Sequence, residues 1–88
     1  MNTILCIPKV NSNISRQQIE NVFASLDLGK IQQITLKNVT YHNTSCHMVY
    51  IHFTSWYNQM WLDHLKNGNQ VKIFYDKPRF WICSLSSY

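Results

Sequence analysis

Alternation governs the clearest stretch of this sequence. In Met48-Val49-Tyr50-Ile51-His52-Phe53, Val49, Ile51 and Phe53 fall on one side of a strand and Met48, Tyr50 and His52 on the other. The first side is uniformly apolar. The second carries a thioether, a phenol ring and an imidazole, so the pattern predicts a half-buried strand whose other face is free to meet a flat partner. Upstream, residues 3–10 read as a first strand, with Leu5 and Ile7 toward the core and Ile4 and Cys6 opposite. Pro8 has no N–H for a ladder bond and is expected to mark that strand's exit into a loop over 9–13.

Helical periodicity follows. Ser15 and Gln18 make a capping-box pair, Ile14 and Ile19 a hydrophobic staple, and Ile19, Val22, Phe23 and Leu26 one apolar stripe. Gly29 stands where a left-handed C-cap would end the helix. Ile31, Ile34 and Leu36 predict a second strand, in which Gln32-Gln33 suggest a bulge. The polar run from Asn38 to Ser45 reads as a hairpin loop leading into the third strand at about Cys46. A second helix is expected over 55–66, with Tyr57, Trp61 and Leu65 inward and Trp56 and Met60 on an exposed stripe. Val71, Ile73 and Tyr75 alternate with Lys72 and Phe74 in a fourth strand, and the tail beyond it shows no clear period.

The predicted order is βαββαβ. It implies an α+β, ferredoxin-like sandwich: a four-stranded antiparallel sheet in the order 4-1-3-2 with two helices on one face. On this reading residues 1–76 are the domain and 77–88 an aromatic C-terminal tail.

Composition narrows the function. The chain has 88 residues, 45% of them hydrophobic and 14% aromatic, enough for a single core. Eight Lys+Arg against four Asp+Glu give a formal charge of +4, which suits a polyanionic partner without demanding one. Cys6, Cys46 and Cys83 are odd in number and include no C-x-x-C pair, so an intracellular, reducing setting with free thiols is expected. No apolar run approaches the ~20 residues of a transmembrane helix, and no membrane partner is expected. The Asn-x-Ser/Thr triplets at Asn13, Asn38 and Asn43 matter only in a secreted protein. His42, Cys46, His47 and His52 have no recognised metal-ligand spacing, and neither a nucleophile elbow nor a Gly-rich phosphate loop is present. No enzyme, cofactor or metal site is expected.

Residues 3–76 resemble the RNA recognition motif family. Leu5-Cys6-Ile7-Pro8-Lys9-Val10 lines up with the first of its two signatures, with Cys6 where the family usually has an aromatic residue. Cys46-His47-Met48-Val49-Tyr50-Ile51-His52-Phe53 lines up with the second, with Met48 at one ring position and Tyr50 at the other. The whole chain, with its tail Tyr75-Asp76-Lys77-Pro78-Arg79-Phe80-Trp81, is also similar to small single-domain proteins of this type encoded by large DNA viruses. The resemblance implies a non-catalytic module that binds single-stranded RNA on the open sheet face, in the host cytoplasm or nucleus if viral.

In that arrangement Tyr50 would stack a base, and Met48, Cys6 and His52 would complete the platform. Lys9, Lys37, Lys72, Lys77 and Arg79 would draw the phosphates, and Phe80 and Trp81 of the tail are expected to cap the open face or pack between two subunits, ahead of adding stacking surface. The competing expectation is a protein-interaction or homodimerisation module that has lost its stacking residues. Cys6, Met48 and the aromatic tail favour it.

Overall fold

A computed structural model describes residues 3–76 and 78–86. Its elements are β1 (Thr3–Asn11), α1 (Arg16–Leu26), β2 (Gly29–Tyr41), β3 (Thr44–Trp56), α2 (Gln59–Lys66), β4 (Val71–Asp76) and β5 (Arg79–Leu85). The five strands form one sheet in the order β2-β3-β1-β5-β4, with every pairing antiparallel. The expected four-stranded, ferredoxin-like sheet of order 4-1-3-2 is therefore corrected. The place beside β1 belongs to β5, built from the segment read as a tail, and β4 is its hairpin partner at the sheet's edge.

Two physical reasons account for the difference. In β5, Trp81 and Cys83 are buried while Phe80 and Ile82 are exposed. The strand alternates correctly, but both of its faces are apolar, so no polar residue marks the period of two. The second reason is strand direction. β4 is antiparallel to β5, which is antiparallel to β1, so β4 runs parallel to β1 and opposite to β3. The α2 connection is then not a crossover between parallel strands, and eight helical residues, about 12 Å, suffice for it.

One core lies between the sheet and both helices. Leu5, Ile7, Val10, Ile34, Val49, Ile51, Phe53, Ile73, Trp81 and Cys83 from the strands meet Ile19 and Phe23 of α1 and Leu62 and Leu65 of α2. Trp81 is stacked on Tyr75 with ring centroids 4.4 Å apart and lies nearly parallel to Phe23 at 6.4 Å.

α1 begins as its sequence predicts. The Ser15 hydroxyl accepts from the Gln18 N–H at 3.2 Å, and the Gln18 side chain accepts from the Ser15 N–H at 2.9 Å. Ile14 packs against the core beside buried Ile19, and Arg16 donates to the Ile34 carbonyl, tying the helix to β2. The C-cap is Asp27, at φ 50° and ψ 48°, rather than Gly29. Gly29 opens β2 opposite Trp56, where an added Cβ would lie 2.2 Å from the Ser55 carbonyl oxygen. It is glycine for close approach of two backbones, not for a helix cap.

Three further expectations shift. The polar run 38–45 is ladder almost to its tip, and β2 and β3 are joined by His42-Asn43, at φ 47° and 65°, as a two-residue type I′ turn requires. Polar residues suffice there because both faces of that end are wet. The bulge read at Gln32-Gln33 is present as a register shift between Ile31 and Gln33. Pro8 lies inside β1 rather than at its exit, in the bulge between Ile7 and Val10 where no ladder bond is needed. Finally, β3 continues to Trp56, so Trp56 is buried under strand alternation, and Tyr57 and Met60 are exposed. The expected helix start at 55 had exchanged the roles of Trp56 and Tyr57.

Removing residues 79–88 takes out β5, and the remaining chain is expected to lack a cooperative unfolding transition in urea. A folded, cooperative 1–78 fragment would contradict the sheet order. Gly29→Ala is expected to lower stability by about 1–3 kcal/mol through overpacking against β3, read as a fall in the urea midpoint at unchanged m-value.

Candidate functional site

The helices occupy one face of the sheet, and strand parity decides what the other face presents. β3 contributes Met48, Tyr50 and His52, all half-buried, and β1 contributes Cys6, in register with Tyr50 on one side and Ser84 on the other. The Tyr50 hydroxyl donates to Met48 Sδ at 2.9 Å, which fixes the phenol along the strand. His52 Nε2 lies 3.5 Å from Thr35 Oγ1 on β2. Lys37, exposed on β2, stands opposite Met48. These are the residues that alternation brought together in the sequence, and the sheet keeps them together.

The other half of the face comes from the β4–β5 hairpin. Phe74 pairs with Phe80 and Lys72 with Ile82. Phe74, Phe80 and Ile82 are 48%, 39% and 42% exposed, a contiguous apolar patch. The two phenyl rings are tilted at 5.4 Å, and Lys72 Nζ lies 4.8 Å above the Phe80 ring, a cation–π contact. Phe74 and Ile82 were not among the expected site residues. Lys72-x-Phe74 and Phe80-x-Ile82 are the alternations that could have found them, once the tail was recognised as a strand.

Two expected residues are elsewhere. Trp81, proposed as extra stacking surface, is only 3% exposed and faces the helices, because it has the opposite parity to Phe80. Arg79 shares that parity. It lines a surface hollow with Asn13, Ile14 and Gln18 near the start of α1, on the helix side of the sheet, and does not join Lys37 and Lys72. Lys9 is exposed in the β1 bulge, at one end of the open face. Lys77 lies outside the described residues.

Burial pushes the Cys6 thiol above its usual value, and burial, with a smaller contribution from Cys6, pushes Cys83 up to about 12. Neither is an activated nucleophile at neutral pH. Among the described residues no cluster of three His, Cys, Asp or Glu side chains could hold a metal ion, and no helix is long and apolar enough to cross a membrane.

The chain matches no family model, no curated protein and no solved structure. The site therefore has to be read from its own geometry.

The thiols give a direct check on that geometry. In native protein at pH 8, a thiol reagent is expected to modify Cys6 slowly and to spare the buried Cys46 and Cys83, with all three reacting in denaturant. Because Cys83 is held protonated in the fold, its unfolded form loses the proton first. Stability is expected to be fully present below about pH 9 and to fall as pH rises toward 12, an effect that Cys83→Ala should diminish in urea titrations across that range.

Proposed function

We propose that this chain is a non-catalytic module that binds single-stranded RNA across the open face of its sheet. The observation that carries the reading is the grouping of Tyr50, Phe74 and Phe80 on the face away from the helices, with Lys37 on one edge strand and Lys72 on the other. Rings and cations in this arrangement serve different parts of a nucleotide. Each base offers a π-face whatever its identity, and stacking on an aromatic ring contributes roughly 1–3 kcal/mol per base. The phosphates run outside the bases, where Lys37 and Lys72 lie on opposite rims and neutralise charge in a salt-dependent way. Met48, Cys6 and Ile82 add apolar surface to the same face. The Met48 acceptor holds the Tyr50 ring in place, which reduces the entropy lost on binding.

A formal charge of +4 favours encounter with a polyanion, and three free cysteines suit a reducing, intracellular setting. A second reading, self-association through the open face, has one specific support: the exposed apolar patch of Phe74, Phe80 and Ile82. Sedimentation at rising concentration separates the two. A monomer at every concentration argues against the second reading.

Fluorescence polarisation with a mixed-sequence, single-stranded RNA is the test. Tyr50→Ala is expected to weaken binding by about 5- to 150-fold, the equivalent of one lost stack. Lys37→Gln and Lys72→Gln are each expected to reduce the slope of log affinity against log salt by roughly 0.7. An affinity indifferent to both salt and Tyr50 would rule out the open face as an RNA site.

A further inference from the structure

The sheet does not stay closed along its whole length. β1 and β5 are in register at Leu5–Leu85 and Cys6–Ser84, just before β1 bulges at Pro8 and Lys9. Pro8 offers no N–H to continue the β1–β5 ladder. Beyond this point β1 follows β3 to Asn11, while β5 follows β4 back to Arg79. The two halves of the sheet enclose a cleft of about 310 Å³, lined by Lys9, Asn11, Thr44, Cys46, Phe80 and Trp81 among others.

Its lining is mixed in a particular way. Phe80 supplies an aromatic wall, and its ring is in contact with Phe74 and Lys72. Cys46 and Trp81, both buried, contribute apolar surface. Lys9, Asn11 and Thr44 are exposed and offer an ammonium, an amide and a hydroxyl. A volume near 300 Å³ is at the small end of ligand pockets, suited to one nucleoside-sized unit rather than a peptide helix. An occupant that is planar on one side, rich in hydrogen-bonding edges and attached to an anion uses every part of this lining.

The cleft shares strand β3 with Tyr50 through Cys46. Tyr50, Met48 and Cys46 are alternate residues of one strand, and two such steps cover about 13 Å. We propose that this cleft receives one nucleobase of the RNA strand whose neighbour stacks on Tyr50, with its phosphate drawn by Lys9. The inference rests on the reading of the open face as an RNA site and adds a second, recessed subsite to it. A recess lined by Asn11 and Thr44 contacts base edges as well as faces, so it would give the module a preference among bases that open stacking does not.

The test uses short single-stranded RNAs of four or five nucleotides, each with one abasic position, against the full chain and two variants. Thr44→Phe fills the cleft from an exposed position, and Tyr50→Ala removes the platform ring. In the unaltered protein, abasic substitution is expected to weaken binding at two separate positions. Thr44→Phe should weaken the intact oligonucleotide at least 5-fold and abolish sensitivity at one position. Tyr50→Ala should abolish it at the other.

Amide shifts of Asn11, Thr44 and Cys46 in the unaltered protein, followed during titration with nucleoside 5′-monophosphates, provide a measurement independent of either variant's folding. Saturable shifts at those residues support the cleft even if no oligonucleotide binds, in which case only the platform reading falls. Unmoved amides together with a neutral Thr44→Phe overturn the cleft, and Tyr50-dependent binding in the same experiment would leave the platform intact.

Discussion

β5 does two jobs because its side chains are apolar in both directions. Inward, Trp81 packs between Tyr75 and Phe23 and joins the sheet to α1, while Cys83 sits without exposure in the same core. Outward, Phe80 and Ile82 extend the face that Tyr50 and Met48 begin. Burial of a side chain as large as Trp81 contributes several kcal/mol, the scale lost when such residues are truncated, and a domain of this size has little surplus stability. The strand that completes the core therefore cannot be separated from the strand that completes the candidate site. A substitution at Trp81 would reach the open face through the position of Phe80, although the two rings lie on opposite sides of the sheet.

Glycine and proline set the limits of this sheet more than any long-range pairing preference. Gly29 lets β2 start against the Ser55 carbonyl, which anchors the long β2–β3 hairpin at its base. Pro8 interrupts β1 and lets the two halves of the sheet part. Closure at one end and opening at the other give the open face a paired region near Tyr50 and a recess near Asn11.

Much of this was readable from residue order. The capping box at Ser15 and Gln18, the stripe through Ile19 and Phe23, and the two-sided strand around Tyr50 are local patterns, and each one formed. What escaped was decided by non-local competition. Phe80-Trp81-Ile82-Cys83 has no polar residue to mark its period, so whether it is a strand depends on finding an unpaired edge on β1. Trp56 belongs to a helix or a strand according to where β3 stops, which the pairing with Gly29 settles. Arg79 and Trp81 were misplaced for the same reason: without β5 as a strand, no parity could be given to either. Tyr50, Met48, Cys6, Lys37 and Lys72 were legible as outward residues, whereas Phe74 and Ile82 of the hairpin were not.

The position of β5 also has a consequence for synthesis. Among the described residues it is the last of seven elements, yet it lies between β1, the first, and β4. Until residue 85 has been made, the edge of β1 that β5 occupies is unpaired and the core lacks Trp81 and Cys83. Before then β1, β2 and β3 can pair with one another, and completion of the core waits for the fifth strand. A nascent chain in that state exposes an unpaired strand edge, the feature that chaperones and neighbouring nascent chains engage.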